Sequence, residues 1–155
     1  MSIPVAIYRL GNKLYKKKFR KTSKIISFLN RFLFSVWIPS SATIGRNFTL
    51  GYWGLGVVIH SNTEIGDNCL ISQNVTIGRN FGDTKVPVIG DDVYIGAGSV
   101  IFGEITIGDN VIIGSNSLVN KSVPSNCTVV GNPMRIIVTD REKKYHEIDK
   151  ELGIK

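Results

Sequence analysis

The stretch from Ile89 to Pro124 reads IGDDVY IGAGSV IFGEIT IGDNVI IGSNSL VNKSVP when it is divided into units of six residues. An aliphatic residue opens each unit, glycine usually follows it, and a small or branched residue such as Val93 or Ser99 stands at the fifth position. A period of six fits neither an α-helix, which repeats every ~3.6 residues, nor a long strand, in which alternate residues share a face. It is typical of a parallel β-helix, in which each unit forms one short strand and one turn.

The same repeat occupies an earlier part of the chain. Two further series of aliphatic residues, each in steps of six, are Ile38, Ile44 and Leu50, and then Ile59, Ile65, Ile71 and Ile77. Each coil of such a solenoid buries its aliphatic residues against the next coil, so the predicted core runs continuously along one axis. We therefore predict a mainly β fold, with a β-helix domain over residues 38–138.

The repeat changes phase at two places. The step from Leu50 to Ile59 is nine residues, which is three more than the repeat requires. The step from Ile77 to Ile89 is twelve residues, but no aliphatic residue stands at its middle position, 83. We interpret this second place as a loop over residues 78–88. Functional groups tend to lie at such irregularities, because regular coils supply mainly structure.

The net charge of +7 comes from the beginning of the chain. Residues 1–63 contain ten Lys or Arg and no acidic residue, whereas the remainder contains nine Lys or Arg and twelve Asp or Glu. Residues 22–36 also place apolar side chains at helical spacing, which predicts a helix that ends before Pro39, and a second helix is expected around residues 5–19. The apolar positions are Ile25, Leu29, Phe32, Leu33 and Val36.

The basic helical segment, residues 1–37, has three interpretations. The first is a helical cap that closes one end of the solenoid, as such repeats require. The second is a helix that lies on an anionic membrane surface, and both roles are compatible. Nucleic acid is the third and is not expected as a partner, because the segment carries no DNA- or RNA-binding motif.

Cys69 and Cys127 show neither a CxxC spacing nor a metal-site pattern, so we predict reduced packing residues and no metal. The charges of the N-terminal segment continue through Arg31, and no secretory signal fits it. These features predict a cytoplasmic protein, or one at the inner face of the cytoplasmic membrane. Residues 139–155 form a charged C-terminal tail, in which His146 is expected to be solvated.

The runs IGDNCLISQNVTIG, residues 65–78, and PVIGDDVYIGAGSVIFGEITIGDNVIIGSNSLVNKSVPSNCTVVGNPMRII, residues 87–137, resemble the hexapeptide-repeat acyltransferases. Within that family they are similar to the serine acetyltransferase-like branch, many of whose members act in bacterial polysaccharide and O-antigen biosynthesis. The resemblance implies a left-handed parallel β-helix and a homotrimer with active sites at the subunit interfaces. It also implies acetyl-CoA as the acyl donor.

The resemblance also implies where the donor lies. Its pantetheine arm would follow a groove along the coils, past small residues whose backbone is accessible, and two cations would meet the nucleotide phosphates. By position, the small residues are Gly96, Ala97, Gly98, Gly114 and Ser115, and the two cations are Lys121 and Arg135.

Acetyl transfer to a hydroxyl requires a base, and an imidazole that titrates near neutrality is suited to that task. Serine acetyltransferases carry an Asp-His pair in a segment like LDHATG and a further histidine in the following loop. Aligned through ISQNVTIG, the pair falls on Tyr52 and Trp53, and the loop histidine falls near Val86. His60 is then the only histidine of the repeat domain, and we predict that it is the general base.

Further residues of the predicted site lie near the two irregularities. Asp83 is expected to orient the imidazole or the acceptor, and Tyr52, Trp53 and Asn74 are expected to line the acceptor pocket. An aromatic pair suits the apolar face of a sugar ring. We therefore predict an acetyl-CoA-dependent O-acetyltransferase that modifies a sugar hydroxyl in surface polysaccharide biosynthesis. The alternatives are a serine O-acetyltransferase that acts on free L-serine and a trimeric scaffold without catalytic activity.

Overall fold

The computed structural model describes residues 1–151 and 153, which comprise two N-terminal helices, a solenoid of short strands and a C-terminal helix. The helices are α1 (Ile3–Lys16), α2 (Arg20–Phe34) and α3 (Tyr145–Glu151). The strands are β1 (Thr43–Ile44), β2 (Thr49–Leu50), β3 (Val58–Ile59), β4 (Glu64–Ile65), β5 (Leu70–Ile71), β6 (Thr76–Gly78), β7 (Val88–Ile89), β8 (Tyr94–Ile95), β9 (Val100–Phe102), β10 (Thr106–Ile107), β11 (Ile112–Ile113), β12 (Leu118–Val119), β13 (Thr128–Val130) and β14 (Arg135–Val138).

Successive strands lie on three faces in rotation. Face 1 contains β1, β4, β7 and β10; face 2 contains β2, β5, β8, β11 and β13; face 3 contains β3, β6, β9 and β12. Neighbouring strands on each face pair in parallel, and only β14 adds to face 2 in the antiparallel direction. This is the coil of a parallel β-helix, and it confirms the fold predicted from the six-residue period.

The core is a set of aliphatic columns inside the coils. On face 3, for example, Ile59, Ile77, Ile101 and Val119 stack in successive coils, and each is at most 1% exposed. The residue at the fifth position of the regular units is buried as well, including Val93, which is fully buried. Both inward positions of the repeat therefore supply the continuous core that a solenoid requires.

The Gly-Asp pair of the repeat joins one coil to the next. Asp67 accepts a hydrogen bond from the backbone N–H of Arg46 at 2.6 Å, and Asp91 accepts one from the N–H of Asp67 at 2.7 Å. Asp109 continues the ladder by accepting the N–H of Asp91 at 2.8 Å. The aspartates approach so closely because glycine stands opposite them, as at Gly66, which packs against the Asp91 carboxylate and has no β-carbon to obstruct it.

The two phase changes have different structures. The three extra residues after Leu50 are accommodated in a short turn, Gly51–Gly54, in which Tyr52 and Trp53 adopt non-helical, positive φ of 47° and 59°. Residues 79–87 leave the coil between β6 and β7.

Helices α1 and α2 pack on one end of the solenoid, which confirms the helical cap. The hydroxyl of the buried Tyr8 donates to the carbonyl of Ala42 at 2.6 Å, and Asn12 donates to the carbonyls of Ser40 and Ala42. Within the described chain, no helix is long and apolar enough to cross a membrane.

Helix α2 faces the solenoid with its polar side. Ser23, Ser27 and Asn30 are buried, whereas four of the five apolar residues that predicted the helix are exposed to solvent, with Phe32 being 87% exposed. The fifth, Val36, lies beyond the end of α2 and is fully buried. Helical spacing thus predicted the helix correctly, but its apolar side does not supply the contact with the β-helix.

The C-terminal segment returns across the coils after β14. Arg141 donates to the side chain of Asn110 at 2.9 Å, Lys144 pairs with Asp92 at 2.7 Å, and the hydroxyl of Tyr145 donates to the carbonyl of Asn68 at 2.7 Å. The three partners belong to successive coils, so this segment packs along the side of the solenoid.

Candidate active site

The predicted site residues fall on two different corners of the solenoid. His60 follows β3, and Asp83 lies in the loop after β6, so both belong to the corner that follows face 3. Lys121, after β12, belongs to the same corner. The corner between faces 2 and 3 holds the other predicted acceptor and donor residues, apart from Arg135 in β14. These are Tyr52, Trp53, Asn74, Gly96, Ala97, Gly98, Gly114 and Ser115.

His60 is half-buried at the start of its corner. Its backbone N–H donates to the carbonyl of Ile77 at 2.9 Å, which places it directly against the coil from which the 79–87 loop leaves. Its Nδ1 accepts a hydrogen bond from the backbone N–H of Asn62 at 3.2 Å. A neutral imidazole that accepts at Nδ1 carries its proton on Nε2, so in this arrangement the Nε2–H is a donor.

Asp83 shares the corner of His60 but is bound to a different coil. Its carboxylate accepts the backbone N–H of Glu104 at 3.2 Å, and its carbonyl accepts a hydrogen bond from Arg79 at 3.2 Å. Within residues 1–151 and 153, no hydrogen bond joins Asp83 to His60. The carboxylate therefore anchors the 79–87 loop in this structure, and its orientation of the imidazole stays a prediction.

A groove of about 530 Å³ opens beside His60, between the N-terminal helices and face 3. Its floor is apolar and consists of β3 and β6 residues together with Trp37. Two cations of α2, Arg20 and Lys24, stand at its edge with the phenol of Tyr15. Hydroxyl groups also line it, from Ser23, Ser27, Ser40, Ser41, Ser61 and Thr76. The groove thus combines an imidazole, hydroxyl groups and positive charge over an apolar base.

The contribution of the helices to this groove was not predicted from the sequence. The spacing of Arg20 and Lys24, four residues apart, places them on one side of a helix. That signal was available in the sequence. It could not be connected to His60, because the contact between α2 and face 3 joins residues far apart in the chain.

The predicted acceptor residues Tyr52, Trp53 and Asn74 lie away from the groove. Tyr52 is 79% exposed, and the ring of Trp53 packs against Phe34 with centroids 5.7 Å apart. Asn74 is a corner residue with a φ of 58°, and its side-chain oxygen lies against Gly56 of the preceding coil. One chain therefore does not bring these three side chains to His60.

The predicted donor glycines have close neighbours in the next coil. A β-carbon on Gly96 would lie 2.5 Å from the backbone nitrogen of Ser115, and one on Gly114 would lie 2.8 Å from a methyl carbon of Val130. Gly98 has a φ of +70°. Coil stacking therefore explains these glycines by itself. With Ala97 and Ser115 they form a strip of small residues, which we call the donor strip after the role predicted for it.

The cations predicted for the donor phosphates are both exposed and lie apart. Lys121 is on the corner of His60, whereas Arg135 is in β14, beyond the donor strip. Within the described part of the chain, there is no group of three or more His, Cys, Asp or Glu that could hold a metal ion.

Comparison with known families supports the repeat assignment. The family model described as bacterial transferase hexapeptide (six repeats) matches residues 87–121, and the hexapeptide repeat of succinyl-transferase matches residues 53–79. The serine acetyltransferase of Bacillus pumilus is 38% identical over 146 residues, which are 93% of this chain and 67% of that protein. That of Helicobacter pylori is 38% identical over 136 residues, covering 86% of this chain and 79% of the relative.

Solved structures show the same fold. The serine acetyltransferase of Brucella abortus superposes with a TM-score of 0.84 at 33% identity, covering 90% of this chain and 57% of that chain. The same enzyme in complex with coenzyme A gives a TM-score of 0.83 at 32% identity, over 88% of this chain and 55% of that one. This chain thus spans little more than half the length of these structures.

These comparisons contradict the prediction of a sugar acceptor in polysaccharide biosynthesis. Relatives that are 36–44% identical over most of the chain are serine acetyltransferases, which favours the alternative acceptor, free serine. Within one chain, Tyr52 and Trp53, the predicted stacking pair for a sugar, lie on a different corner from His60, and Trp53 packs on Phe34. The chain belongs to the hexapeptide-repeat acyltransferase family, with serine acetyltransferases as its relatives.

Proposed function

We propose that this protein transfers the acetyl group of acetyl-CoA to the hydroxyl of free L-serine. The observation that carries the proposal is the groove in which the half-buried imidazole of His60 lies with two cations, Arg20 and Lys24. The identity to serine acetyltransferases supports the same acceptor.

The charged and hydrogen-bonding groups that line the groove are complementary to the charged and hydroxyl groups of serine. A carboxylate is attracted to a guanidinium or an ammonium group, so Arg20 and Lys24 would hold the carboxylate of the substrate. The hydroxyl oxygens of Ser41 and Ser61, which are not buried, would accept hydrogen bonds from its ammonium group. These contacts would direct the substrate hydroxyl toward His60 and set the orientation in which it reacts.

The chemistry requires one proton to move twice. His60 Nε2 takes the proton of the serine hydroxyl as the oxygen attacks the thioester carbonyl, and the imidazolium then gives that proton to the departing thiolate of CoA. No covalent enzyme intermediate is needed. For this role the imidazole must carry its other proton on Nδ1, so its hydrogen bond from Asn62 must open when substrate binds. At 3.2 Å that bond lies at the long limit of the ordinary range.

The donor strip and His60 lie on different corners of one chain, so a complete site requires two chains. We infer a homotrimer in which the donor strip of one subunit faces the His60 corner of its neighbour. Acetyl-CoA would then bind between subunits, with the thioester near His60. Lys121 and Arg135 stay the predicted partners of the nucleotide phosphates.

The proposal is tested by the release of free thiol from acetyl-CoA with L-serine as the acceptor. Amino acids that lack the hydroxyl, together with simple sugars, serve as the comparison acceptors. We expect serine-dependent release that falls by about 10²–10⁴-fold in His60→Ala, the range for loss of a general base. His146→Ala is the matched control, because His146 lies outside the groove, and it should retain full activity.

Two results would oppose this assignment. Serine-dependent turnover at an unchanged rate in His60→Ala would exclude His60 as the base. Binding of CoA by the wild type without turnover on any acceptor would favour the non-catalytic scaffold instead.

A further inference from the structure

Helix α2 presents an apolar face to solvent. Five side chains recur on its outward side at spacings of three, four and seven residues, and they are between 47% and 87% exposed. We call them the α2 face: Ile25, Phe28, Leu29, Phe32 and Leu33. Scattered exposed apolar residues are ordinary, but a contiguous apolar face on one helix indicates an interaction surface.

Hydrogen bonds on the inward side set this orientation. Ser27 and Ser40 share a hydrogen bond of 2.8 Å between their hydroxyls, and the Ser40 hydroxyl donates to the carbonyl of Ser23 at 2.8 Å. Asn30 donates to the carbonyl of Pro4 at 3.0 Å. Rotation of the helix to bury its apolar face would break these bonds and leave buried polar groups without partners, which is unfavourable. The α2 face is therefore a stable feature of the cap.

The surroundings of the α2 face are strongly positive. Residues 1–63 carry ten Lys or Arg and no Asp or Glu. The end of α1 and the turn after it contribute the exposed cations Lys16, Lys17 and Lys18, and Lys21 and Arg31 lie on α2 itself. An outward apolar face with cations at its margin is the arrangement of helices that lie in the plane of a membrane interface.

We propose that the α2 face binds the surface of an anionic membrane. Its apolar side chains enter the boundary between headgroups and acyl chains, and the N-terminal cations lie over the negatively charged headgroups. A second copy of the chain is a poor occupant of this face. Laying one α2 face on another would bring two groups of cations together without an acidic residue in the first 63 positions to offset them.

Co-sedimentation of the full chain with lipid vesicles tests this proposal. We compare vesicles of phosphatidylcholine alone with vesicles that contain about 30 mol% phosphatidylserine, and expect the bound fraction to rise about tenfold with the anionic lipid. The double variant L29Q/F32Q should lose at least about tenfold of that binding, because two apolar side chains no longer enter the interface. Both side chains are exposed, so the variant should fold, which circular dichroism verifies.

The matched control is I136Q/I137Q, which makes two equally conservative changes at exposed apolar residues of β14. It should bind vesicles like the wild type. Equal binding by wild type and L29Q/F32Q would overturn the α2 face as the membrane contact. A second result would also overturn the membrane proposal. In it the wild type binds neither vesicle and forms a larger particle in solution, and L29Q/F32Q reduces the size of that particle. The α2 face would then be a site of self-association. Serine acetylation is measured in a separate assay. Failure of the membrane proposal therefore does not affect the test of the proposed activity, and the reverse is also true.

Discussion

At the residue scale, the glycine and the aspartate of the repeat together form one contact between neighbouring coils. The aspartate of each coil accepts a backbone N–H of the preceding coil, as Asp91 does from Asp67 at 2.7 Å. The glycine opposite it, Gly66 in this case, leaves the space that the carboxylate occupies. The motif therefore forms a contact between neighbouring coils, and this contact requires both the aspartate of one coil and the glycine of the other.

We expect Gly66→Ala to destabilise the fold. A β-carbon there would lie 2.6 Å from the carbonyl oxygen of Gly90, a backbone atom that cannot move without disturbing its coil. The free energy of unfolding should fall by about 2 kcal/mol, the usual cost of overpacking, and the melting temperature by about 4–8 °C. Gly78→Ala is the control, because a β-carbon at Gly78 meets nothing within 4 Å. Thermal unfolding followed by circular dichroism measures both; equal melting temperatures would refute the steric explanation.

The thiol of Cys69 should be unreactive in the folded protein. Burial raises the pKa of Cys69 to about 12, so at pH 8 only about one thiol in ten thousand is a thiolate, the reactive form. Iodoacetamide at pH 8 should leave Cys69 unmodified in the native protein and modify it after unfolding in guanidinium chloride. Peptide mapping by mass spectrometry identifies the modified residue. Rapid alkylation of the native protein would show that the thiol is accessible.

At the scale of elements, the regular coils were predictable and the contacts of the helices were not. The six-residue period places an aliphatic residue such as Ile95 inward in every coil, and neighbouring coils repeat the same local geometry. Helix α2 was predictable as a helix, but not the side it buries. Its polar side is buried because Ser40 and Pro4, from other parts of the chain, supply hydrogen-bond partners.

The attachment of α1 should depend on pH through Tyr8. Burial raises the pKa of Tyr8 to about 12, whereas an exposed tyrosine in the unfolded chain titrates near its ordinary value of 10.0. The neutral phenol therefore stabilises the fold fully below pH 10, and that contribution is lost as the pH rises from about 10 to about 12. Tyr8→Phe should lower the free energy of unfolding at pH 7 by about 1 kcal/mol, because the carbonyl of Ala42 loses a donor.

The difference in the free energy of unfolding between wild type and Tyr8→Phe should decrease above pH 10, since the variant has no phenol to ionise. Urea unfolding at pH 7 and at pH 11 measures it, and other groups that titrate at high pH cancel in the comparison. A difference that stays constant with pH would contradict the assigned role of the phenol.

At the scale of the whole molecule, the proposed site depends on assembly. The trimer should have a mass of about 51 kDa, three times 17.1 kDa, by size-exclusion chromatography with light scattering. Because His60 and the donor strip lie on different corners, we expect subunits that carry His60→Ala to complement subunits that carry Ser115→Trp in mixed trimers. Ser115 is exposed, so tryptophan should obstruct the donor strip without disturbing the core.

Each variant should be inactive alone, and random mixing should restore about a quarter of the interfaces, those with an intact residue on both sides. Thiol release by the mixed trimers measures this recovery. No recovery in mixed trimers of verified composition would place the active site within one chain.

The β-helix was determined by the sequence alone, since its period is a local pattern that every coil repeats and each coil packs on a neighbour of the same kind. The candidate base was also visible, because His60 is the only histidine between residues 38 and 138. Tertiary structure decided what surrounds it. The groove joins His60 to Arg20 and Lys24 of a helix far away in the chain, and the outward apolar face of α2 follows from hydrogen bonds on its other side. Neither follows from periodicity, because a period gives the sides of a helix but not the partner that each side meets.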